Sequence, residues 1–128
     1  MLVDLLEEYR RATVFLETGD PAGAARLLEP IVEAEPQNAS VRQLLARAYF
    51  QSAQLRRAEE QLRFLIDLDP ADHYAHHVLG RTLERSGRFA EALPYLRLAV
   101  AMRDNDDYRA AVRRVETWVG RNGGRGTD

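Results

Sequence analysis

The chain predicts an all-α fold built from repeated helical hairpins, and three observations carry that prediction. Residue types recur at a step of 34: Ala12, Ala46 and Gly80; Phe15, Tyr49 and Leu83; Ala24, Ala58 and Ala92; Leu28, Leu62 and Leu96. Inside each copy the apolar residues return every three or four positions, which is the period of one helix face. Between these stripes lie turn residues, and no alternating run flanked by hairpin dipeptides marks a strand.

Composition bounds the rest. The 128 residues suit a single domain with one real core, and 45% hydrophobic content suits a folded chain. There is no cysteine, so disulfides and thiolate chemistry are excluded. All 18 basic residues are arginine, which removes lysine-based Schiff bases and phosphate loops. A net charge of −2 gives no drive toward nucleic acid. The opening "MLVDLLEEYRR" lacks the basic and then apolar regions of a signal peptide, and no run is long enough to span a membrane. The expectation is a cytoplasmic protein without membrane contact.

Three units follow without a gap: 5–38, 39–72 and 73–106. In the first, "TGDP" reads as a helix end at Gly19, a cap at Asp20 and proline at the first position of the next helix. In the second, Asn38 caps a helix whose apolar face is Val41, Leu44, Leu45, Ala48 and Tyr49. A break at Ser52–Gln54 precedes a second stripe of Leu55, Ala58, Leu62, Leu65 and Ile66. In the third, Asp72 is the cap and "SGRF" the internal turn. Pro30 and Pro94 fall inside second helices, and the unbroken repeat frame predicts kinks there rather than ends. A seventh helix over 107–119, with Tyr108, Ala111, Val112, Val115, Trp118 and Val119 on one face, should close the stack and bury Trp118. Residues 120–128, with four glycines, read as a disordered tail.

This pattern resembles the tetratricopeptide repeat, a 34-residue helix–turn–helix with small residues at positions 8 and 20 and proline at 32. Small side chains there let the two helices of a hairpin approach closely. The resemblance is strongest in "LGRTLERSGRFAEALPYLRLAVAM" and covers residues 5 to 106. Arg11 departs from it, standing where leucine is usual, and Asp104 replaces the proline. The resemblance implies a right-handed α-solenoid of six helices plus the capping helix. It further implies a non-enzymatic adaptor that holds a peptide or helix of a partner protein in a concave groove.

By the same resemblance, the groove is lined from the first helices at positions 2, 5, 9, 12 and 13. The candidates are Leu6, Tyr9 and Thr13, then Arg47 and Phe50, then Tyr74, His77, Arg81 and Arg85, with Leu16, Glu17, Ser40, Gln43, Gln51 and Glu84 at the remaining places. Aromatic residues and arginine are the usual interface anchors, so a ligand with an apolar anchor and an acidic flank is expected. One branch of the family grips chaperone C-termini with basic and amide side chains. Its places hold Tyr9, Thr13, Leu44, Tyr74 and Val78 here, so that clamp is not expected.

Other classes read weakly. The carboxylate clusters Glu7–Glu8, Glu59–Glu60 and Asp104–Asp107 look like solvated faces or caps, and no serine has a histidine at matching spacing, so no catalytic residue and no cofactor is expected. His73, His76 and His77 crowd together, but the repeat frame makes His73 a solvated end residue, His76 a packing residue and His77 a groove residue. No metal site is expected, and His77 would make partner binding sensitive near pH 6.5. A homodimer formed through groove residues or through Leu2, Val3, Leu5 and Leu6 is the alternative.

Overall fold

The structure, a computed structural model, describes residues 4–126, with side chains to 122. Seven helices account for the described residues, with no strand among them: α1 Leu5–Glu17, α2 Pro21–Ala34, α3 Ala39–Gln51, α4 Leu55–Leu68, α5 His73–Arg85, α6 Phe89–Met102 and α7 Asp106–Gly126. The first helix of every hairpin has 13 residues and the second has 14. The chain forms two compact units that divide between Leu68 and Asp69. The first holds α1 to α4, the second α5 to α7.

Each hairpin begins with the same chemistry. Asp4, Asn38 and Asp72 each accept a hydrogen bond from the backbone N–H three residues on, at 3.2, 3.1 and 3.0 Å. That satisfies a donor the first helical turn cannot use. The turn inside each hairpin is equally regular. The N–H of Asp20, Gln54 and Arg88 bonds the carbonyl of Phe15, Tyr49 and Leu83 at 2.7, 2.8 and 2.9 Å. This six-to-one closure requires a left-handed residue just before it. Gly19 and Gly87 supply it at φ 89° and 80°, and in the middle hairpin Ala53 is forced to φ 61°. Asp20 caps α2 as its sequence predicts, accepting from Gly23 N–H at 2.8 Å.

The core follows the repeat. Leu28, Leu62, Leu96, Ala24, Ala58 and Ala92 are fully buried. Position 8 is as tight as expected: a Cβ on Gly80 would stand 2.4 Å from Leu96 Cδ2 and 3.3 Å from the Ala92 carbonyl. Pro30 and Pro94 lie inside α2 and α6, which continue past them to Ala34 and Met102. Both prolines face solvent, as do Arg26 and Ala90 four residues earlier. The carbonyls deprived of a partner therefore reach water.

The α1 surface differs from its successors. Val41, Leu44 and Leu45 are buried in α3, but the equivalent α1 residues, Glu7, Arg10 and Arg11, are exposed. Arg11 meets Glu8 at 3.0 Å. α7 also departs from expectation. It starts at Asp106, capped by Asn105, which accepts from Tyr108 N–H at 2.8 Å. It buries Tyr108, Ala111 and Val115, but not Trp118, which stays 40% exposed. The 107–119 span is too short, because helical backbone continues to Gly126 through residues read as tail. Helix propensity is poor for glycine but does not by itself end a helix. Residues 127 and 128 of that tail, like Leu2 and Val3, lie outside the described residues.

Candidate functional site

In the first unit, the caps at Asp4 and Asn38 start α1 and α3 at the same repeat position, and positions 2 and 5 of α1, Leu6 and Tyr9, come beside position 2 of α3, Ser40. Leu5, Leu6, Tyr9, Asn38, Ser40 and Val41 border a concavity of about 570 Å³. Leu6 is 58% exposed there, and Tyr9 is half-buried beside it. Thr13, one turn further, donates its hydroxyl to the Tyr9 carbonyl at 3.0 Å. The structure thus joins Leu6, Tyr9 and Ser40. Arg47 and Phe50 are half-buried further along α3, outside that lining. Arg47 meets no carboxylate among the described residues.

The back of this unit is tied by polar contacts. Tyr49 donates to Glu29 at 2.6 Å. Burial first, then the bond and charge of Glu29, push its phenol well above the ordinary range. Arg42 lies over the Phe64 ring at 3.6 Å and donates to Gln61 and to the Pro36 carbonyl. On α4, Arg63 pairs with Glu59 one turn before it at 2.9 Å.

In the second unit, two of the three histidines, His73 and His77, meet Tyr108 of α7. His77 lies flat on Tyr108, with centroids 4.2 Å apart and planes 17° apart. His73 Nδ1 is hydrogen-bonded to the Tyr108 hydroxyl at 2.8 Å. His76 Nδ1 donates to the Asp72 carbonyl at 2.9 Å. His76 is a buried packing residue, as its repeat position implies. His77 differs from expectation: only 9% exposed, it faces Tyr108 rather than open solvent. Burial, then the charge of Arg81, lowers its pKa to about 4, so it does not titrate near 6.5. His73 is half-buried, not a solvated end. Among the described residues no three His, Asp or Glu side chains could hold one metal ion.

Tyr74 is half-buried and Arg85 exposed. Arg81 stands 3.4 Å from Glu84, which also receives Arg114 of α7 through two nitrogens, Nη2 at 2.8 Å. Sequence reasoning placed the α5 side of this cluster but not Arg114, nor the stack of Trp118 on Phe89 at 4.0 Å. Their only signal is position: α7 packs on the preceding hairpin as the next first helix would, so Arg114 reaches Glu84 of α5 and Trp118, one turn on, reaches Phe89 at the start of α6. The carboxylate clusters weighed as catalytic candidates resolve largely into ion pairs, with Asp104 and Asp106 held by Arg109. No helix among the described residues is long and apolar enough to cross a membrane.

A chain of capped 34-residue hairpins with small residues at the crossing points is a helical-repeat protein. Family models for the tetratricopeptide repeat match residues 15–81 and 73–106, and the chain belongs to that family. Among solved structures it resembles MamA, at 24% identity and TM-score 0.80, over 92% of this chain and 68% of that one. It resembles the Sgt2 tetratricopeptide domain of Aspergillus fumigatus at 17% identity and TM-score 0.83, over 95% and 82%. The first such domain of Spaghetti, bound to the HSP90 peptide SRMEEVD, matches at 16% identity and TM-score 0.83, over 90% and 92%. At these identities the likeness concerns the fold. No curated protein matches the chain in sequence.

Proposed function

We propose that the chain is a non-enzymatic protein-interaction module that takes a peptide or helix of a partner on the first-helix faces of its hairpins. The observation that carries this reading is the α1–α3 concavity, where Leu6 remains 58% exposed beside Tyr9. Leaving more than half of a leucine in water forgoes roughly 1–2 kcal/mol of burial, which a partner's apolar side chain would recover. Arg47 in the same unit supplies a guanidinium group suited to an acidic flank, and α5 of the other unit, taken by itself, offers Tyr74 and Arg85 for contacts of the same kind. The Spaghetti domain holds a chaperone peptide, but Leu44 and Val78, at two of the clamp places, are buried and apolar here. The ligand is therefore of another kind.

A panel of peptides with an apolar anchor between acidic residues tests this. Tyr9→Ala and Leu6→Asp should each weaken the best binder at least tenfold, while Arg56→Glu on the outer face leaves it unchanged. If Tyr9→Ala and Arg81→Glu left all binding intact, the assignment would be wrong.

A second reading, a homodimer, draws support from Leu98 and Met102, exposed one turn apart on α6. The charged Glu7, Arg10 and Arg11 make the α1 end a poor interface for it. Light scattering showing a concentration-independent mass near 14.6 kDa would exclude a stable dimer.

A further inference from the structure

The exposed side of α7 carries Arg113, Arg114, Thr117, Trp118 and Arg121, which with Asn122 border a surface concavity of about 750 Å³. Trp118 is the only tryptophan in the chain. Its ring rests on Phe89 with planes 16° apart, yet it keeps 40% exposure. The stack fixes the indole on one side and leaves its surroundings open on the other. Positive charge predominates on this face. Arg113 and Arg121 meet no carboxylate among the described residues, and Arg114 shares Glu84 with Arg81. Two of the α7 acids are turned elsewhere, Glu116 to Arg97 at 2.9 Å and Asp106 to Arg109, while Asp107 in the first turn acts on His77.

A fixed aromatic surface edged by planar guanidinium groups complements carboxylates beside a large apolar side chain. Tryptophan and arginine are also the residues that most often dominate binding energy. Nucleic acid fits less well: only Arg113 and Arg121 on this face meet no carboxylate among the described residues, whereas a phosphate backbone is held through many such contacts.

We propose that this face of α7 docks an acidic peptide segment of a partner protein, its apolar side chain against Trp118 and its carboxylates on Arg113 and Arg121. The proposal rests on the peptide-binding reading above and adds a contact surface outside the repeats.

Because Trp118 is the sole tryptophan, its emission reports directly on the site. The full chain would be titrated with a blocked peptide of alternating glutamate and leucine, with its glutamine counterpart, and with oligothymidylate. The expected result is a saturable emission change with the glutamate peptide. It should be at least tenfold weaker with the glutamine peptide and in the Arg113→Glu/Arg121→Glu variant. Both arginines are exposed, so that variant should keep the parent's far-ultraviolet dichroism. Tyr9→Ala should leave this titration unchanged while weakening binding at the α1–α3 concavity. A silent emission, or a double variant that responds like the parent, overturns α7 docking even if Tyr9 still governs binding elsewhere. An equal or tighter response to oligothymidylate overturns the peptide assignment.

Discussion

The hydroxyl of Tyr49 donates a 2.6 Å hydrogen bond to the carboxylate of Glu29, joining the first helix of the second hairpin to the second helix of the first. Tyr49 is buried, while Glu29 is partly exposed and also lies 3.9 Å from Arg57. Tyr49→Phe keeps the ring and removes the donor, so it should cost about 1–2 kcal/mol. Glu29→Gln should cost less, because an amide oxygen still accepts. Urea unfolding of both single variants and the double variant would give their coupling, expected at about 1 kcal/mol.

Ala53 occupies the left-handed position that glycine holds in the other two hairpins. An L-residue pays about 1–2 kcal/mol there, against a smaller entropy cost for glycine. Ala53→Gly should therefore stabilise the protein by about 0.5–1 kcal/mol. Gly19→Ala and Gly87→Ala should each destabilise it by about 1 kcal/mol through the backbone alone. No clash is involved, since nothing lies within 4 Å of the place a methyl group would take at either glycine. The shift in urea midpoint checks all three.

Gly80 faces Leu96 too closely for a methyl group, since a Cβ would stand 2.5 Å from its branch carbon Cγ. Gly80→Ala gains about 1 kcal/mol of helix propensity but incurs about 1–3 kcal/mol of overpacking, for a net loss near ~1 kcal/mol. Adding Leu96→Val to Gly80→Ala should cost less than the two single changes summed, as thermal unfolding would reveal.

His77 is neutral in the fold, with its pKa lowered to about 4 against 6.5 when free. Between those values the unfolded chain binds the extra proton, so stability is complete above pH 6.5 and falls as pH drops toward 4. The loss from this group should reach about 3 kcal/mol. His77→Phe retains an aromatic ring against Tyr108 and should flatten that part of the profile. Urea titrations at about pH 7 and about pH 4.5, either side of most of that window, would compare the two.

The hairpins were legible because each signal was local or periodic. The caps Asp20, Asn38 and Asp72, the turn glycines and the 34-residue step all act within a few residues or repeat three times. What escaped depended on neighbours that periodicity does not specify. Trp118 shares a helical stripe with buried Val115, yet α6 offers it only the ring of Phe89 at the edge. His77 holds a groove position in the repeat frame, but Tyr108 of α7 covers it, and α7 lies outside the frame. The Arg114–Glu84 pair was invisible for the same reason. Leu6 and Tyr9, inside the frame, border one concavity.

The matched caps have a consequence for how such a chain can be edited. Each hairpin carries its own start signal at Asp4, Asn38 or Asp72 and its own internal stop at Gly19, Ala53 or Gly87. Cutting the gene at the codons for Asn38 and Asp72 would excise a cassette whose ends are already chemically interchangeable. Duplication of that cassette is then a single recombination event that breaks no cap, so repeat number can change by whole hairpins without redesigning a junction.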